Sequence, residues 1–133
     1  MKTALAVLVA AGLLLVVTPA VAHHAFSAEF DANKPVTLTG TVTKVEWTNP
    51  HAWFYMDVAD ATGKVTNWAF ELGGPNTLIR EGWTRNSMKP GDIVTVEGSR
   101  AKDGSSIANT QAVTLKSTGK RLFAASSRGE QQR

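Results

Sequence analysis

Residues 36–47 alternate apolar and polar side chains, and the phase of the alternation slips once. The apolar side chains occupy even positions as far as Val42 and odd positions from Val45 onward. Alternation with period two predicts a half-buried strand. One extra residue near positions 43–44, as in a β-bulge, would shift the phase of this alternation. Gly40 allows the same strand to coil sharply. A long, bent first strand is what a small closed barrel requires.

Four further strand-like segments and one helical segment follow, separated by turn-forming Gly, Pro, Asn and Asp. We expect strands at 51–58, 65–72, 93–98 and 107–115, with a helix that opens at Gly74-Pro75 and stops at Gly82. We expect Leu78 and Ile79 of this helix to contribute core contacts. This order predicts a mainly β fold, a five-stranded barrel of the oligonucleotide/oligosaccharide-binding (OB) type with one short helix between strands three and four. An immunoglobulin-like sandwich would need about seven strands and no helix, and a lipocalin-like barrel about eight.

Residues 1–22 are typical of a cleavable signal peptide. Lys2 supplies a positive charge, residues 4–17 form an apolar run, and Ala20-Val21-Ala22 is a small-x-small cleavage site. The apolar run is too short to span the roughly 30 Å of bilayer hydrocarbon. We therefore expect a mature chain that begins at His23, is periplasmic or secreted, and keeps no transmembrane segment.

The chain contains no cysteine, so the mature protein has to be stable without disulfides. An exported domain of this kind suits a bacterial periplasm, and residues 23–119 suffice for one hydrophobic core. Residues 120–133 are rich in Ser, Arg and Gln, which predicts a basic disordered tail after the single domain.

The formal net charge of +3 hides an uneven distribution. Residues 23–115 carry eight basic and ten acidic side chains, whereas the basic excess lies in the C-terminal tail. A nucleic-acid-binding domain needs a basic face on its folded body. We therefore expect no nucleic-acid partner.

Four segments cover most of residues 23–125: HHAFSAEFD from His23, LTGTVTKVEWTNPHAW from Leu38, NWAFELGGPNTLIREGW from Asn67 and KPGDIVTVEGSRAKDGS from Lys89. With its His-His-x-Phe start and its Asn-Pro-His motif, the chain resembles an uncharacterised family of small exported bacterial proteins. The resemblance implies an export signal and an OB-like barrel. It carries over no catalytic residue and no ligand, because the family has no assigned function.

The three histidines form a candidate metal site. His23 and His24 open the predicted mature chain, and His51 lies at the turn into the second strand. A histidine exposed by cleavage offers its α-amine and its ring nitrogen to one ion, and a second histidine would complete a three-nitrogen site suited to copper(II). Alternatively, His23 and His24 form a polar frayed terminus and His51 is a turn residue. The metal interpretation makes a copper ion the expected cofactor.

The second candidate site is an aromatic face. His51, Trp53, Tyr55 and Asp57 share one side of the second strand. Keeping the apolar sides of the hairpin together places Glu71 near Trp53 and Asp57 near Asn67. The resulting face would present Trp53, Tyr55, Glu71 and Glu46 to a ligand, because OB proteins bind across this face and aromatic rings stack on flat ligands. These aromatic residues could instead simply cover a small barrel.

The sequence offers little for catalysis. It contains no cysteine nucleophile and no G-x-S-x-G motif. Glu46, Asp57 and Glu71 could pair as glycosidase carboxylates, but a barrel of this size offers no deep cleft. We therefore expect a non-enzymatic protein that binds copper at its mature N-terminus. The alternative is an interaction module that binds a protein partner or a small ligand on the aromatic face without metal.

Overall fold

The computed structural model describes residues 26–124. The predicted signal peptide at 1–22, His23, His24 and the tail from 125 onward lie outside the described residues. Residues 26–29 are helical and lead directly into the first strand. The remaining elements are β1 (Phe30–Glu46), β2 (Trp53–Ala59), β3 (Val65–Glu71), α1 (Pro75–Arg80), β4 (Ile93–Ala101), β5 (Ile107–Leu115) and β6 (Arg121–Phe123).

The strands form one sheet in the order β3-β2-β1-β4-β5-β6. All neighbouring pairs in this order are antiparallel. The end of β3 also pairs in parallel with the start of β5, from Ala69↔Ile107 to Glu71↔Asn109. Five strands are therefore joined in a ring of pairings, and β6 extends it beyond β5. The mainly β prediction is confirmed, but the described part of the chain has six strands rather than the five that we expected.

The sixth strand corrects the prediction that disorder begins at residue 120. β6 pairs with β5 through Val113↔Leu122, and the Leu122 side chain is buried. The Ala124 amide donates a hydrogen bond to the Gln111 carbonyl at 2.9 Å. The folded domain therefore continues past residue 119, at least as far as Ala124. Composition missed this strand because the few apolar residues there are surrounded by Lys, Arg and Ser.

The predicted bend in β1 is present. The β1–β2 register shifts between Val42 and Lys44, where the apolar phase slips. A side chain at Gly40 would collide with the carbonyl of Asp57, because β2 approaches the β1 backbone there. β1 pairs with β4 along its first part and, from Thr41 onward, with β2, and the bulge lies within the β2 pairing.

The helix begins at Pro75 with Gly74 as its N-cap, and Gly82 follows it with a positive φ of 93°. The pyrrolidine ring suits the first helical position, and glycine suits the left-handed backbone after the last turn. Leu78 is fully buried, as expected. Ile79 is 56% exposed, so our expectation that it also packs in the core is wrong. No helix among residues 26–124 is long and apolar enough to cross a membrane.

The main hydrophobic core fills the inside of the ring. Phe54 and Phe70 lie opposite each other on β2 and β3, and their rings stack at 4.9 Å between centroids. Met56, Val94, Val96 and Val113 complete the fully buried centre. Leu78 joins this cluster from α1.

The opposite burial of two neighbouring residues in α1 gives a matched test. Leu78→Ala removes a fully buried side chain and should lower the free energy of unfolding by about 2–5 kcal/mol. Ile79→Ala should change it by no more than about 0.5 kcal/mol, because its side chain is largely in water. Urea unfolding of both variants measures the difference. Equal losses would contradict the packing of α1.

β6 gives a second pair of variants. Leu122→Ala should lower the melting temperature by several degrees, because a loss of about 1 kcal/mol already shifts a domain of this size by about 4–8 °C. Phe123→Ala, at a side chain that is 50% exposed, should lower it much less. A thermal scan in which Leu122→Ala melts with the parent protein would restore the prediction that the tail begins at residue 120.

Candidate functional site

Three of the predicted face residues form one row across the first three strands. Glu46 lies opposite Trp53 in the β1–β2 register, and Trp53 lies opposite Glu71 in the β2–β3 register. Residues that lie directly opposite each other share a face of the sheet. The predicted neighbours Trp53–Glu71 and Asp57–Asn67 are therefore confirmed, and Asn67 Nδ2 donates to Asp57 Oδ1 at 2.9 Å.

The same row continues onto the next two strands. Glu71 lies opposite Asn109 of β5, and Asn109 lies opposite Ser99 of β4. This face points away from the main core, yet the exposed fractions are only 6% for Glu71, 2% for Asn109 and 1% for Ser99. The expectation that Glu71 is displayed on an open surface is therefore wrong. Another part of the chain has to exclude water from this part of the row.

That part is the N-terminal turn, residues 26–30. Phe26 and Phe30 are buried, with ring centroids 5.8 Å apart, and they pack with Ala101 and Ile107 in a small cluster separate from the main core. Ala101 and Ile107 are each two residues from a member of the row, Ser99 and Asn109. They therefore lie on the same outward face. The Lys102 amide also donates to the Glu29 carbonyl at 2.8 Å, which joins the turn to the end of β4.

The β1–β2 loop brings His51 to the buried carboxylate. Ala52 donates its amide to the Gly73 carbonyl at 3.0 Å and accepts the Leu72 amide at 2.9 Å, so the loop is fixed beside the end of β3. His51 Nδ1 lies 3.5 Å from Glu71 Oε1. The imidazole remains 39% exposed, while the carboxylate is covered. The Asn109 side chain completes the group, since its Nδ2 donates to the same Oε1 at 3.4 Å.

Burial determines the electrostatics of this group. Loss of water raises the pKa of the Glu71 carboxyl above its ordinary value, and the negative charge of Glu29 raises it further. His51 and the Asn109 amide act in the opposite direction, because both favour the carboxylate form. The Glu71 carboxylate can accept a hydrogen bond from His51 when Nδ1 carries the ring proton. The imidazole Nε2 then remains as the free ligand atom.

The exposed part of the predicted aromatic face is a separate group. Lys44 Nζ lies 2.6 Å from Glu46 Oε1, and the Tyr55 hydroxyl donates to Glu46 Oε2 at 3.3 Å. The Lys44 ammonium also lies over the Tyr55 ring, 5.5 Å from its centroid. The hydrogen bond with Lys44 lowers the pKa of Glu46. The carboxylate of Glu46 and the hydroxyl of Tyr55 thus already have ion-pair or hydrogen-bond partners on their own sheet.

A cavity of about 330 Å³ lies beside Trp53. Its walls come from the N-terminal turn (Ala28 to Phe30) and from the β4–β5 connection (Lys102, Asp103 and Ser105), with Ile107 of β5. Trp53 is partly buried. A small molecule placed here would contact an indole, two carboxylates and one ammonium group.

The structure describes only part of the candidate metal site. His23 and His24 lie outside the described residues. Among residues 26–124, no group of three or more histidine, aspartate or glutamate side chains could hold a metal ion. The described residues supply one histidine, His51, with Glu71 beside it.

Sequence reasoning missed three contributors to this site: Asn109, Glu29 and the pair Phe26/Phe30. The two phenylalanines are four residues apart, the spacing that places side chains on one side of a helical turn, and this signal was available. Asn109 is followed by Thr110 and Gln111 in β5, so no sequence signal marked it as a buried polar side chain. Glu29 carries no distinguishing pattern.

The candidate site lies within the part of the chain that matches a known protein family. A family model described as a family of unknown function matches residues 10–111. The chain belongs to DUF6152. No curated protein matches the chain. The part matched to DUF6152 includes the N-terminal turn, His51, Glu71 and Asn109, whereas β6 lies beyond it.

The raised pKa of Glu71 predicts how stability changes with pH. As pH rises above the ordinary value of 4.5, the unfolded chain loses this proton before the folded protein does. The contribution of Glu71 to stability is therefore full below that pH and is lost as pH rises through the folded-state pKa. Glu71→Gln, which stays neutral, should lose less stability than the parent over this range. Urea unfolding of both proteins at a series of pH values, with a chelator present, measures the free energy of unfolding. If this free energy changes with pH in the same way in both proteins, the burial of the Glu71 carboxyl is contradicted.

Proposed function

We propose that this DUF6152 protein is an exported, non-enzymatic binding protein that holds a copper ion through the N-terminus of its mature chain. One observation carries the proposal: the N-terminal turn packs over the outward face of the sheet that also carries the His51–Glu71 pair. Cleavage after Ala22 would leave only His23, His24 and Ala25 ahead of the buried Phe26. Three residues span at most about 10 Å, so the new α-amine would start close to this face.

The fold supports a binding role of this kind. The ring β1-β2-β3-β5-β4, with α1 between β3 and β4, has the order expected for an OB-type barrel. We propose that assignment, with β6 as an added strand. In such barrels the β1–β2 and β4–β5 connections flank the binding face. Here the first carries His51 and the second lines the cavity beside Trp53.

The ligand chemistry favours copper(II). The α-amine and ring nitrogen of His23 would close a chelate ring on one ion, and His51 would supply the third nitrogen. Glu71 beside Nδ1 would fix the orientation of the His51 ring and direct Nε2 to the metal, as carboxylates do for many metal-binding histidines. His24 would be the less important ligand, because adjacent side chains in an extended segment point in opposite directions.

Copper binding to protein matured at His23 tests the proposal. We expect a protein that begins Met-His-His to bind copper(II) much more weakly, because its α-amine is displaced while every histidine side chain remains. His51→Ala should also weaken binding, and His24→Ala should do so less. Affinity should fall as pH drops through the imidazole range, since protons compete for the same lone pairs. The measurements are titration by absorbance and electron spin resonance.

Equal affinity of the matured and extended proteins would rule out the copper site. The cavity beside Trp53 favours a second candidate function, in which the protein binds a small ligand without metal. Binding of that kind should be abolished by Trp53→Ala and should be indifferent to residues added before His23. The extended protein therefore separates the two functions, because only copper binding depends on the free amine.

A further inference from the structure

The apolar contacts of the described chain fall into two clusters, and the smaller one holds the N-terminal turn. The main cluster lies inside the ring and contains no residue of the turn. The small cluster lies outside it and consists of Phe26, Phe30 and Ala101, with Ile107 packed against them. The turn can therefore leave the sheet without opening the main core.

We propose that Phe26 and Phe30 are positioning residues that hold the N-terminal copper ligands beside His51, so that docking of the turn and copper binding stabilise each other. This inference rests on the proposed copper site and adds which residues hold its ligands in place. Neither phenylalanine carries a ligand atom. Their effect would arise entirely from where they fix the chain that bears the α-amine.

The length of free chain gives the expected size of the effect. With the turn docked, three residues separate the α-amine of His23 from the fixed Phe26. With the turn released, the next residue of β1 paired with β4 is Pro35, because the register is interrupted between Phe30 and Pro35. The tether then grows from three residues to twelve. Effective concentration falls with roughly the −3/2 power of tether length, which gives a loss of roughly eightfold in the contribution of His51 to copper affinity.

Docking itself has a reporter that does not require metal. The Lys102 amide donates to the Glu29 carbonyl of the turn, and this bond is lost when the turn leaves. Hydrogen exchange at the Lys102 amide should therefore accelerate in Phe26→Ala without copper. Exchange in the middle of β4 and β5 should stay slow, since those strands belong to the main core. Because coupling is reciprocal, copper should slow exchange at Lys102 in the parent protein.

The decisive experiment is a double-mutant cycle on copper affinity, measured by chelator competition with protein matured at His23. Phe26→Ala should weaken binding roughly eightfold, and Phe26→Leu should restore most of it. Phe123→Ala is the matched control, because it removes an exposed phenylalanine far along the chain and should change nothing. In a His51→Ala background, Phe26→Ala should have no further effect, since the docked turn then has no ligand to approach. Ile107→Thr weakens the same cluster from the β5 side and should also weaken copper binding roughly eightfold. It replaces Phe26→Ala in the cycle if Phe26→Ala folds poorly.

The results separate this inference from the proposed function. If Phe26→Ala and His51→Ala weaken binding independently, or if Phe26→Ala frees the Lys102 amide but binds copper as tightly as the parent, the phenylalanines do not position the ligands. If the Lys102 amide stays protected in Phe26→Ala, docking does not depend on Phe26 and the inference also fails. If the matured and Met-extended proteins bind copper equally, the copper site itself is wrong, whatever the exchange data show.

Discussion

The double pairing of β1 is the constraint on which the rest of the structure depends. Its first part pairs with β4 as far as Thr41 and its second part pairs with β2 from Thr41 onward, and the register shift between Val42 and Lys44 lies within the β2 pairing. Strict alternation through Thr43 would instead point Val45 outward and Glu46 inward. The bulge returns Val45 to the inside, opposite Phe54, and leaves Glu46 outside, opposite Trp53. One residue thus closes the core and also begins the outward row that reaches Glu71.

Glu71 shows why the outward face is more than a solvent-facing surface. A carboxyl without water is costly, and proteins tolerate one when neighbours supply hydrogen bonds or opposite charge. His51 and Asn109 are those neighbours here, and they come from the β1–β2 loop and from β5. Burial increases the cost, and so does the negative charge of Glu29 on the N-terminal turn. A hydrophobic side chain would cover the sheet at lower cost, so the buried carboxyl makes this face a candidate functional site.

Sequence patterns predicted the parts of this protein that depend on neighbours along the chain or across a hairpin. The slip near Thr43–Lys44, the start of α1 at Pro75 and the pairing of Trp53 with Glu71 are all of this kind. The burial of Glu71 could not be predicted in the same way, because its cover comes from residues more than forty positions away. Ile79 was misplaced because a helix of six residues is too short to define which side faces the core.

β6 was missed for a related reason, since composition averages over a segment. Residues 120–133 are polar and basic on average, yet one leucine and three residues of pairing suffice to join an existing sheet edge. The edge of β5 was already ordered by the rest of the fold, so only the three residues of β6 had to be fixed. A short strand that adds to a formed sheet needs far less apolar content than one that nucleates a fold.

The net free energy of docking the N-terminal turn is small enough for a bound ligand to change how often the turn is docked. Burying two phenylalanine side chains contributes about 3–6 kcal/mol. Fixing the backbone of five residues costs about 5–10 kcal/mol. The Glu29–Lys102 backbone hydrogen bond adds about 1 kcal/mol to the favourable side. Since these contributions nearly cancel, docking of the turn responds to any further interaction made at its N-terminal end, whereas the main core, with fifteen buried residues, does not. A metal bound between the mature N-terminus and His51 would act where a modest binding energy can change the structure.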